Sequence, residues 1–146
     1  MQPLQFLVPI DALAEVEGLL KYAILGLVLV NMVTRILAHS KQRKQVDDDD
    51  SNLSRWLPHS VVSILLLLAS FAFMIVEPHG GMVMSVLVLG MFVADFFEFE
   101  ARQVEARNGL DFERPKAAIT ASVIVLLYAA FQSLFFLVKD YWNLVI

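Results

Sequence analysis

A chain of 146 residues is the size of one domain. Its hydrophobic share is 58% and its charged share 18%, against about 45–50% and 25% in ordinary soluble domains. With a mean hydropathy of +0.67, that balance excludes a disordered chain and argues against a water-soluble fold.

A bilayer core about 30 Å thick takes roughly 20 mostly apolar helical residues to cross, and four stretches qualify. The first covers about 18–38, with Lys21 and Arg35 near its ends, placed to snorkel towards the interfaces. Asp11 is a candidate N-cap, so the helix is expected to begin near Ala12. Ahead of it, Leu4, Phe6, Leu7, Val8 and Ile10 read as an interfacial segment, without the basic region that opens a cleavable signal peptide. A loop follows over 39–56. Its basic part, Lys41 to Lys44, suits anionic lipid heads, and Asp47 to Asp50 reads as a solvated acidic tract.

The second stretch covers 57–76, and Pro58 sits in its first turn, where a missing N–H costs little. Glu77-Pro78-His79-Gly80-Gly81 is a compact turn, short enough to make the second and third helices antiparallel neighbours. The third stretch covers 81–97. Asp95, Glu98, Arg102 and Glu105 recur beyond its middle at helical spacing, so the helix should run on past the membrane to Arg107, where Asn108-Gly109 stops it. A second loop is assigned over 98–115. The fourth stretch covers 116–138, introduced by Pro115. The predicted fold is therefore all-α: a single integral membrane domain over residues 1–146, a four-transmembrane-helix bundle whose third helix extends into the cytoplasm.

The basic residues orient it. Arg35, Lys41, Arg43, Lys44, Arg55, Arg102, Arg107, Arg114 and Lys116 flank or lie in the two long loops, nine of the eleven in the chain. Basic loops stay cytoplasmic. Both termini are thus expected outside the cell, in a multi-pass protein of the cell membrane.

Membrane helices associate through close packing of small residues. Gly81 with Ser85, Gly90 with Ala94, and Ala118 with Ser122 stand four apart and mark helix-packing faces, either within the bundle or towards another subunit. Asp95 is the most informative polar residue, following the uncharged run 82–94. Two readings stand for it: a solvated helix end, or an ionisable group facing a cavity or partner. Glu98 and Arg102 are spaced to pair with each other. Asn31 and Gln132 lie deeper, where they can bond across helices. Together Asp95, Glu98, Arg102, Arg107, Asn31 and Gln132 are the candidates for polar contacts or for a vestibule.

Catalytic signatures are missing. Zero cysteines remove thiolate, iron–sulfur and cysteine–zinc chemistry. No histidine occupies the centre of a span, where a transmembrane haem would need its axial ligands, and His59 reads as an interfacial residue at a helix start. No phosphate loop, nucleophile elbow or HExxH pattern occurs. No catalytic residue, cofactor or metal is expected. A net charge of −4 gives no basic excess for nucleic acid.

The opening Met1-Gln2-Pro3-Leu4, the Asn31-Met32-Val33-Thr34-Arg35 exit from the first span, and the run from Ala94 to Arg102 with Val104-Glu105-Ala106-Arg107-Asn108 resemble an uncharacterised family of small four-span integral membrane proteins from halophilic archaea. Glu113-Arg114-Pro115-Lys116 and Gln132-Ser133-Leu134-Phe135-Phe136 are similar too. The resemblance covers nearly the whole chain and implies a topology and a habitat, not an activity.

Three functions fit these residues. The first is a non-catalytic accessory or scaffold subunit of a larger membrane complex, such as an energy-converting one. Its partners would be membrane lipids and either other integral membrane subunits or further copies of itself. The second is a small oligomeric transporter or ion-conducting protein using Asp95 and Glu98. The third is a viral envelope membrane protein.

Overall fold

A computed structural model describes residues 17–47, 53–110, 114–135 and 143–144. Four helices account for nearly all of them: α1 (Glu17–Asp47), α2 (Leu57–Val76), α3 (Pro78–Arg107) and α4 (Lys116–Leu134). No strand occurs among the described residues. Each helix packs on the next and α4 returns to α1, closing a ring of four. The centre is filled by Ile24, Val28, Leu66, Phe73, Met84, Val88, Met91, Val125 and Ala129.

Most of the apolar surface faces outwards. All four helices are long and apolar enough to cross a membrane, yet only 22–28% of the residues in each apolar stretch are buried inside the bundle. Side chains such as Leu68, Val86 and Leu127 stand more than half exposed. Water would not tolerate so large a contiguous apolar face, and the arrangement suggests a multi-pass membrane protein. The backbone agrees, because helices satisfy their own N–H and C=O groups where no water can.

The turn between α2 and α3 is tighter than the sequence predicts. Only Glu77 separates the helices, because Pro78 carries a fixed φ and no N–H and so can open α3 directly. The two helices are antiparallel, and at Gly81 they are packed backbone against backbone. A Cβ there would fall on the backbone of Met74.

α1 is longer than its predicted span. It continues as helix through 39–47, residues assigned from sequence to a loop. The polar run 41–45 has good helix propensity, and buried Gln42 ties it to α3. α3 reaches Arg107, as expected from its charged stripe. It ends as the Asn108-Gly109 pair predicts: Gly109 takes φ 68, its N–H bonds to Ala106 O, and the Leu110 N–H bonds to Glu105 O. Glycine suits that left-handed step. Asp11, the interfacial residues 4–10, the acidic positions 48–50 and the end of the fourth span at 138 lie outside the described residues.

Candidate functional site

On α1, Asn31, Thr34 and Arg35 stand at positions i, i+3 and i+4 and share one helix face. That face turns into the bundle, so Arg35 is only 4% exposed. The Arg35 side chain therefore does not snorkel outwards. Asp95 of α3 lies opposite and gives the reason. Arg35 Nε donates to Asp95 Oδ1 at 2.8 Å and Nη2 to Oδ2 at 2.8 Å, a two-pronged ion pair. Nη2 also donates to Asn31 Oδ1 at 2.7 Å.

α2 completes the cluster from its first two turns. Asn31 Nδ2 donates to Ser63 Oγ at 3.0 Å, and Ser63 Oγ donates to the His59 carbonyl. His59 Nδ1 lies 2.8 Å from Thr34 Oγ1, and its Nε2 lies 3.3 Å from Asp95 Oδ2. Thr34 Oγ1 is also within 2.9 Å of the Asn31 carbonyl. The Thr34 hydroxyl donates to that carbonyl, and its oxygen can accept from His59 Nδ1 when that nitrogen carries the ring proton. Three helices are joined by one buried polar network. Removing both ions from water costs several kcal/mol each, and the pair recovers this through its geometry and its extra hydrogen bonds.

A second layer lies further along α1 and α3. Arg102 Nε donates to Gln42 Oε1 at 2.6 Å. The Arg55 guanidinium sits 4.1 Å from the Phe99 ring centroid and 3.3 Å from Glu100 Oε1. Between the layers is a small polar cavity of about 40 Å³ lined by Arg35, Gln42, Arg55, His59, Asp95 and Arg102, among others.

Glu98 does not join Arg102, contrary to the spacing argument. Its Oε1 accepts the backbone N–H groups of Ala117 and Ala118, at 2.8 and 3.1 Å. The first turn of a helix has orphan donors and a positive dipole end, and α4 has no side-chain cap of its own. Glu98 supplies that cap from α3.

The six polar candidates therefore separate. Asn31 and Asp95 meet through Arg35. Arg102 lies in the adjoining layer, Glu98 closes α4, and Arg107 is exposed at the end of α3. Gln132 is at the other end of the bundle, where Nε2 donates to Tyr128 Oη and approaches Gly80. The small-residue pairs also divide. Gly81, Ser85, Ala118 and Ser122 are buried, Ala94 is half-buried, and Gly90 faces open space.

Sequence reasoning missed His59, placed at an interface, and the role of Arg35. The signal was present in the polar face Asn31-Thr34-Arg35, continued by Ala38 and Gln42, along an otherwise apolar helix. Among the described residues no three metal-ligating side chains gather as a metal would require.

A family model described as Domain of unknown function (DUF7313) matches residues 2–146, and the chain belongs to that family. No curated protein and no solved structure matches the chain.

Proposed function

We propose that this DUF7313 chain is a non-catalytic integral membrane accessory or scaffold subunit of a larger membrane complex. The observation that carries the reading is how the intramembrane charges are used. Arg35, Asp95 and His59 bind one another and knit α1, α2 and α3 together. Glu98 is committed to α4. These groups act as struts, and struts are what a docking body needs.

Conduction through a single copy is less well supported. Between the Asn31–Asp95 cluster and Gln132 lies the mainly apolar layer of Ile24, Val28, Leu66, Phe73, Met84, Val88 and Val125, which holds the buried hydroxyls of Ser70, Ser85 and Ser122 but no buried charged side chain among the described residues. A pore or relay needs polar lining or ionisable groups through its depth. The complex we propose is an energy-converting one, in the membrane of a halophilic archaeon.

Purification from native membranes in mild detergent tests it. Stoichiometric membrane partners, or a defined oligomer of the chain, should co-purify. A lone monomer would defeat the reading, as would proteoliposome ion flux that collapses in Asp95→Asn.

The proposal places the α1–α2 and α3–α4 connections in the cytoplasm, following the basic residues. Single cysteines at the exposed positions Ser54 and His79 should label from opposite faces of sealed vesicles, Ser54→Cys from the cytoplasmic one. Labelling of both from one face would refute the topology.

A further inference from the structure

We infer that the small polar cavity between the two layers is a binding site for ordered water, and that this water joins the Arg35–Asp95 layer to the Gln42–Arg102 layer. The site belongs to the fold itself and is independent of any protein partner.

The register of the helices creates the space. Gln42 follows Arg35 by seven residues on α1, and Arg102 follows Asp95 by seven on α3. Seven residues are two turns, so each helix carries its two polar groups on one face, about 10 Å apart. Arg35 bonds back to Asp95 and Arg102 to Gln42, each within its own layer. The position between them on α1 is Ala38, buried and offering only a methyl group, while Phe99 closes the α3 side. The space left is about 40 Å³. A water needs at least about 10–15 Å³ of such space and two to four polar partners, so the cavity has room for about one to three. Arg35, Gln42, His59, Ser60, Asp95 and Arg102 all line it.

Two of these residues hold unsatisfied atoms. Arg35 Nη1 is buried with no hydrogen-bond partner, its Nε and Nη2 being engaged by Asp95 and Asn31. His59 Nε2 is buried too, and has only the 3.3 Å approach to Asp95 Oδ2. Buried polar atoms are almost always satisfied, by protein or by ordered water. Nη1 can only donate, whereas a ring nitrogen donates or accepts according to its proton. Water serves either.

Charge balance selects water over an ion. Asp95 meets the charge of Arg35, and Glu100 that of Arg55. Glu98 and Glu105 stand one turn to either side of Arg102. An anion would face the Asp95 carboxylate in the same lining, and a cation would face three arginines. A small neutral molecule meets neither penalty.

Nuclear magnetic resonance of the full chain in detergent tests the site, through cross-relaxation between water and carbon-bound protons. The Ala38 methyl and the His59 ring protons should show contacts to a long-lived water, and the Val28 and Val125 methyls of the apolar layer should show none. Ala38→Val puts carbon into the space. It should abolish the water contacts at His59 and lower the melting temperature by about 5 °C. Ala38→Ser, whose hydroxyl takes the place of a water, should stay within about 2 °C of the parent. Absence of water contacts at both Ala38 and His59 in the parent chain would overturn the inference, whatever the variants do. So would an Ala38→Val chain that melts above the parent, because the space would then be a dry gap. His59 signals that shift when chloride is exchanged for sulfate at constant ionic strength would assign the cavity to an anion and overturn it as well.

Discussion

Arg35→Met should destabilise the bundle by about 3–5 kcal/mol, because it strands the Asp95 carboxylate inside the helices without its main partner. Asp95→Leu should cost a similar amount by stranding Arg35. The double variant should recover most of the loss, since replacing a whole buried ion pair with apolar groups is often close to neutral. Thermal unfolding in detergent, followed by circular dichroism, measures all three. Single variants that melt with the parent would show that the two-pronged contact at 2.8 Å does not hold the helices together. Losses that simply add in the double variant would show that the residues act separately.

The second large effect concerns Gly81. Gly81→Leu should disrupt the α2–α3 hairpin, and even Gly81→Ala should cost about 1–3 kcal/mol or more, as overpacking a close-packed core does. The added carbon would collide with backbone at Met74 and Phe73, not with a side chain that can swing away. Gly90→Leu is the matched control. Its Cβ would meet nothing, and its effect should stay within about 0.5 kcal/mol. Comparable losses at the two glycines would mean that close approach of α2 and α3 is not what Gly81 provides.

The four rods were readable because a bilayer-length apolar run is a coarse, redundant signal. Twenty residues vote together, and no single one decides. Helix ends were readable where chemistry is local, as at Gly109 and Pro78. The site was less legible, because it depends on which face of one helix meets which residue of another. Asp95 stood out by contrast with its apolar neighbours. His59 did not, since nothing near it in sequence reveals that Thr34 and Asp95 lie across the gap. Glu98 shows the limit most clearly. Its in-helix partner at spacing four was correct geometry, but the unsatisfied N–H groups of Ala117 and Ala118 offered a better acceptor site, and only the arrangement of α3 against α4 brings them within reach.

The rods are unequal in length. At 1.5 Å per residue, α1 and α3 are about 46 and 45 Å long, while α2 and α4 are about 30 and 28 Å. The surplus of both long helices emerges at the same end, where Gln42 grips Arg102. The outline is that of a peg with a stiff handle standing on the order of 15 Å beyond the ends of the two short rods. A load applied to the handle would lean the whole peg, because its two shafts are cross-braced at the base by Arg35 and Asp95.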